Sequence, residues 1–152
     1  MEKIASFQVD HDKLTEGMYT SRIDGDVTTY DIRMVLPNGG VYLENAPLHT
    51  FEHLFATYVR SSREKEHIIY AGPMGCRTGF YFLVRNLSPE DSIRLVQETM
   101  DFIAGYEGEI PGAARRECGN YLDHDLPGAN AMARKMQDVL KGWTPEMLAY
   151  RT

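Results

Sequence analysis

The sequence predicts an α+β fold, an antiparallel sheet with helices packed on one face, as a single domain over residues 1–152. Three observations carry that prediction. A hairpin pattern occupies residues 17–36, the hydrophobic period turns helical from Pro47, and helical segments dominate the second half of the chain. The strand–helix–strand alternation that marks a parallel sheet is weak.

In the hairpin, Met18, Thr20 and Arg22 lead into the turn signal Asp24-Gly25-Asp26, and Val27 to Leu36 is rich in strand formers. Pro37-Asn38-Gly39-Gly40 then breaks the pattern. From Pro47 to about Ser62, Leu48, Phe51, Leu54, Phe55, Tyr58 and Val59 form one helical stripe, with Pro47 suited to the first turn. His67–Ala71 and Gly79–Val84 read as strands on either side of a Gly/Pro loop, Gly72 to Thr78. Ser88-Pro89-Glu90-Asp91 opens a helix with a cap, a proline and first-turn acids, and that helix ends near Gly105. A loop with Gly108, Pro111 and Gly112 leads through a short helical turn to Cys118, and a last helix runs from Ala129 to Leu140, with Gly142 as its stop.

Composition acts by exclusion. With 16 Lys+Arg against 22 Asp+Glu the net charge is −6, which argues against a basic face for nucleic acid. A 43% hydrophobic, 25% charged composition is that of an ordinary globular domain. The first ten residues have no apolar signal core, and no window reaches 18 apolar residues, so the expected location is cytoplasmic, with no membrane partner. Two cysteines are too few for a disulfide framework, and in a reducing compartment both stay thiols.

His49-Thr50-Phe51-Glu52-His53 is the most informative pentapeptide. At about 100° per residue the two histidines share a face well away from the apolar stripe, at the spacing that lets two imidazoles grip one metal ion. Glu52 lies beside them, placed to take a proton without occupying a coordination position. A solvated face that happens to carry two histidines is the alternative, and a metal site needs a third ligand. Each cysteine has three candidate roles: inert core residue, metal ligand or reactive thiolate. Cys118 is distant enough in sequence to be a long-range third ligand, whereas Cys76 lies in a Gly-rich loop next to Arg77, a cation that favours a thiolate. Two histidines and one cysteine leave a tetrahedral ion with an open position, which suits catalysis at a carbonyl. Isomerisation or elimination fits such a set at least as well as hydrolysis.

Five segments, Ser6-Phe-Gln-Val-Asp-His11, Tyr30-Asp-Ile-Arg33, His49-Thr-Phe-Glu52-His53-Leu54, Pro73-Met-Gly-Cys76-Arg-Thr-Gly-Phe-Tyr81 and Cys118-Gly119, resemble the S-ribosylhomocysteine lyase (LuxS) family over nearly the whole chain. The resemblance implies an α/β sandwich on an antiparallel sheet. It implies a divalent metal ion in each subunit, held by His49, His53 and Cys118, with Fe2+ expected and Zn2+ or Co2+ able to substitute. Glu52 and Cys76 would be the acid/base residues, and Ser6, His11 and Arg33 would line the substrate pocket. The implied partners are the small molecule S-ribosylhomocysteine and a second copy of the chain, in a homodimer with active sites at the interface. The implied reaction releases homocysteine and 4,5-dihydroxy-2,3-pentanedione, the autoinducer-2 precursor.

One stretch departs from the family pattern: Tyr70-Ala71-Gly72 stands where relatives commonly carry Asp-Ile-Ser, which bears on pocket detail. His67 and His124 read as surface or structural residues, Trp143 as packing, and Arg115-Arg116 as too short a basic run for nucleic acid. Two rival readings are a small His-x-x-Glu-His zinc hydrolase or peptidase, in which Cys76 would have no task, and a non-catalytic metal-binding module.

Overall fold

A computed structural model describes residues 1–151. In chain order the elements are α1 (Ala5–Gln8), β1 (Gly17–Asp24), β2 (Val27–Arg33), α2 (Asn45–Ser61), β3 (Ile68–Pro73), β4 (Gly79–Arg85), α3 (Pro89–Ala104) and α4 (Leu126–Val139). Short 3₁₀ turns lie at Lys65–His67 and Pro145–Leu148. The sheet is antiparallel throughout, in the order β1-β2-β4-β3.

Strand alternation assigns the two faces. The register pairs Met18 with Ile32, Ile32 with Phe80 and Tyr30 with Phe82, so these apolar side chains share one face and are almost fully buried. The stripe of α2 covers that face: Phe51 meets Phe80 edge-on at 5.2 Å between centroids, and Phe55 lies 5.0 Å from Phe80 and 5.2 Å from Phe82. Burying each such ring contributes about 1.5–3 kcal/mol. Ile93, Val96, Met100 and Ile103 of α3 and Ala129, Ala133 and Met136 of α4 complete the same core. The helices therefore sit on one face of the sheet, as the periodicities predict.

Several boundaries differ from the sequence reading, for local reasons. The second hairpin strand ends at Arg33 rather than Leu36, because the N–H groups of Met34 and Val35 both turn to Thr78 O, at 2.8 and 3.2 Å. Ser88 caps α3 by accepting from Asp91 N, as its sequence suggests. Helix α4 starts at Leu126, earlier than the apolar period implies, because Asp125 caps it from Gly128 N. The stretch before Cys118 is a pair of hydrogen-bonded turns from Ala114 O to Glu117 N and Cys118 N, without a helix. No helix among the described residues is long and apolar enough to cross a membrane.

The other sheet face has no large helix over it. Thr29, Asp31, Tyr81 and Leu83 point there by alternation, with α1 and the C-terminal segment alongside. Irregularities at Ser21 in β1 and Ile69 in β3 shift the register and turn Arg22 and Tyr70 toward this open side.

Candidate active site

Two clusters emerge, on opposite sides of the sheet layer. The first is built on the exposed side of α2. Ligand-capable atoms of His49, His53, Cys118 and His124 lie within 4.8 Å of one another. The rings of His49 and His53 stand at 88° with centroids 4.6 Å apart. Each donates Nδ1–H to a backbone carbonyl, His49 to Asp123 O and His53 to Pro111 O, both at 2.8 Å. Those bonds leave both Nε2 atoms facing Cys118 Sγ, at 3.4 and 3.9 Å. Two imidazole nitrogens and a cysteine sulfur converging in this way fit a divalent ion.

The loops that hold this cluster close depend on one glycine. Gly112 has φ +69°, and a Cβ there would stand 3.3 Å from His53 Nδ1, so only glycine lets the Pro111 carbonyl approach the ring without strain. Glu52 is half-buried and lies outside the four-residue group.

His124 corrects the sequence reading in part. It is no surface residue: its ring stacks on His49 at 4.0 Å and 19°, meets His53 at 4.8 Å and 76°, and is tied through Nδ1 to Thr50 Oγ1 at 2.9 Å. Burial, and then the neighbouring His49 and His53, lower its pKa. His67 is the surface residue it reads as, with Nδ1 on Arg85 O. Trp143 packs beside Tyr19 and donates to Met18 O at 2.9 Å.

The second cluster lies on the open face at the β3–β4 loop. Ser6, His11, Arg33 and Cys76 line one cleft of about 240 Å³, with Tyr81 and Tyr150 closing it. The sequence thus identifies four residues, scattered from position 6 to 76, that the fold does bring together. None of the four α2-side residues, nor Glu52, lines this cleft.

The cation beside Cys76 is not the one that adjacency suggests. Arg77 adopts φ +59° and sends its guanidinium to Leu43 O at 3.3 Å. Arg33 supplies the charge instead: its Nη1 donates to Thr78 Oγ1 at 2.8 Å and lies 4.0 Å from Cys76 Sγ, which is itself 3.1 Å from Thr78 Oγ1. Arg33 is 4% exposed and Asp31 2%, and they pair through Nε–Oδ1 at 3.1 Å and Nη2–Oδ2 at 2.7 Å. Burial opposes the charge on Arg33, but the hydrogen bond and charge of Asp31 outweigh it and hold the guanidinium pKa above its ordinary value.

Sequence reasoning missed Asp31, Thr50, Thr78 and Tyr150. Asp31 and Thr50 lie inside the informative segments, next but one to Arg33 and next to His49, whereas nothing near Tyr150 marks it. At the departure from the family pattern, the Tyr70 phenol folds over Gly72 and occupies the space that a Cβ at position 72 would enter.

The family model for S-ribosylhomocysteinase (LuxS) matches residues 4–147. A curated relative from Clostridium acetobutylicum named S-ribosylhomocysteine lyase is 47% identical, covering 99% of each chain. Relatives of the same name from Phocaeicola vulgatus and Porphyromonas gingivalis are 48% and 50% identical, covering 99% or more of this chain and 99% of their own.

Proposed function

The chain belongs to the S-ribosylhomocysteinase (LuxS) family, and from that premise we propose that it cleaves the thioether of S-ribosylhomocysteine to homocysteine and 4,5-dihydroxy-2,3-pentanedione. His49, His53 and Cys118, whose donor atoms converge with that of His124, would hold a divalent ion, which we read as ferrous iron with zinc or cobalt as substitutes. When bound, the ion supplies positive charge to the sugar oxygen on which negative charge develops. Glu52 and Cys76 move the protons. Successive carbon-to-carbon proton transfers carry the carbonyl from C1 to C2 and then to C3. Removal of the C4 proton then expels the sulfur from C5, with no redox change and no added water. Arg33, Ser6 and His11 orient the substrate in the cleft beside Cys76.

The observation that carries this reading is the placement of Cys76: a free thiol beside Thr78 and a buried, paired arginine, in a cleft apart from the donor cluster. A zinc hydrolase needs no such thiol. The sheet lies between Cys76 and the histidine face of α2, so we infer that a second copy of the chain brings its α2 to this cleft, as a homodimer with two shared sites. Two features support it. The cleft is smaller than the ~300–1,000 Å³ usual for small-molecule sites. Exposed apolar residues also surround it: Phe7 lines the cleft, and Ile4 and Tyr70 line the adjoining depression that shares Ser6, Ser21 and Tyr81 with it.

The test is incubation of anaerobically prepared, metal-loaded protein with S-ribosylhomocysteine while free thiol is titrated. Stoichiometric thiol release is expected, and its absence overturns the lyase reading.

A further inference from the structure

Asp123, His124 and Asp125 meet the histidine-bearing turn of α2 at three consecutive residues. Asp123 O accepts from His49 Nδ1 at 2.8 Å. Asp125 N donates to Thr50 Oγ1 at 2.9 Å, and its side chain caps α4. Between them, His124 Nδ1 bonds the same Thr50 Oγ1, while its ring lies flat on His49 and edge-on to His53. Thr50 is fully buried, so this anchor does not move with solvent-exposed side chains.

We propose that His124 is a positioning residue for the metal site: anchored on Thr50, its ring holds the His49 and His53 rings at the mutual angle that converges on one ion, without itself ligating that ion. The inference rests on the reading above, in which His49, His53 and Cys118 hold the metal.

Ring geometry weighs against the simpler role of fourth ligand, although a donor atom of His124 lies in the same 4.8 Å group as those of His49, His53 and Cys118. An imidazole nitrogen binds through a lone pair in the ring plane. The planes of His49 and His124 are inclined by only 19° with centroids 4.0 Å apart, so the lone pairs in the two ring planes lie in separated, nearly parallel layers instead of converging. The planes of His49 and His53 cross at 88°, and both Nε2 atoms converge on Cys118 Sγ. Plain packing is a poor account as well. His124 Nε2 is buried with no hydrogen-bond partner. An apolar side chain of the same shape would avoid leaving that buried nitrogen unpaired. Residues that orient metal ligands typically change metal affinity about 10- to 100-fold when removed, which sets the scale expected here.

The experiment loads wild-type protein, His124→Ala, His124→Phe and Thr50→Val with Co2+, records the d–d absorption, and follows transfer of the ion to a chromophoric chelator. His124→Ala is expected to release Co2+ about 10- to 100-fold faster, with a changed d–d envelope at an unchanged ligand count. His124→Phe and Thr50→Val each keep a flat ring against His49 but lose its anchor, and both are expected to fall between wild type and His124→Ala. Wild-type release and spectrum in folded His124→Ala overturn the proposal. So does a spectrum showing one nitrogen ligand fewer, which would make His124 a ligand. If His124→Ala does not fold, Thr50→Val decides, and wild-type release there overturns the proposal. Failure of the wild-type protein to take up Co2+ overturns the metal-site reading together with it, whereas uptake with unaltered variants overturns the positioning role alone.

Discussion

Tyr150 donates a 2.7 Å hydrogen bond to Asp31 Oδ2 across 119 residues of chain. The same carboxylate oxygen accepts from Arg33 Nη2, so the C-terminal segment closes over the buried pair that faces Cys76. Tyr150 also stacks on Tyr19 at 5.2 Å and 21°. Tyr150→Phe keeps that stack and removes only the bond to a charged acceptor. A loss of about 1.5–3 kcal/mol in urea unfolding is expected, with a fall in kcat/KM for thiol release as Arg33 loses its fixed orientation.

Alkaline pH tests the same contact. Burial, and then Asp31, push the Tyr150 phenol above its ordinary pKa, and burial also raises Tyr30 and Tyr81. In the unfolded chain these phenols ionise near pH ~10, whereas in the fold they stay protonated. The stability they contribute is therefore complete below about pH 10 and is lost as pH rises above it. Urea midpoints between pH 9 and 11.5 should fall, and the slope for Tyr150→Phe should be shallower by about one proton.

The two clusters should fail in different ways. Cys76→Ala is expected to abolish homocysteine release while metal content stays nearly intact, since Cys76 lines the cleft and not the donor group. His53→Ala is expected to lose the metal. Thiol titration and elemental analysis of the same preparations check both, and an active Cys76→Ala variant would remove the proton-transfer role.

Subunit mixing tests where the site lies. Neither Cys76→Ala nor Glu52→Gln homodimers should release thiol. If Cys76 of one subunit works with Glu52 of the other, each mixed dimer has one intact site, and random reassortment restores about one quarter of wild-type activity. Sites contained within one chain would give no recovery.

Gly112→Ala probes the backbone turn that brings Pro111 O to His53. The left-handed backbone alone costs about 1–2 kcal/mol for a residue with a side chain. The new Cβ, 3.3 Å from His53 Nδ1, would also push the Pro111 carbonyl off the ring. Lower thermal stability and faster Co2+ release are expected together.

Much of this was legible because it is local. The hairpin, the stripe of α2 and the Ser88 cap follow from side-chain period and hydrogen bonding within a few residues. So does the pairing of His49 with His53, because helix geometry puts i and i+4 side by side. Boundaries failed where a distant group competed for the backbone, as Thr78 O does for Met34 and Val35. Arg77 was the cation expected beside Cys76, but its left-handed backbone turns it to Leu43 and leaves that place to Arg33, on another strand.

By itself the sequence determined the fold class, the helical histidine pair, and the presence of two thiols too few to cross-link a scaffold. Side-chain period, spacing and residue chemistry carry that information without knowledge of the folded chain. Only the tertiary structure decided which arginine meets Cys76, and that His124, Thr50, Asp31 and Tyr150 take part. Those assignments depend on hydrogen bonds and ring contacts between residues up to 119 positions apart. No local pattern encodes them, because they exist only once the sheet register and the helix packing have brought the partners within a few ångströms.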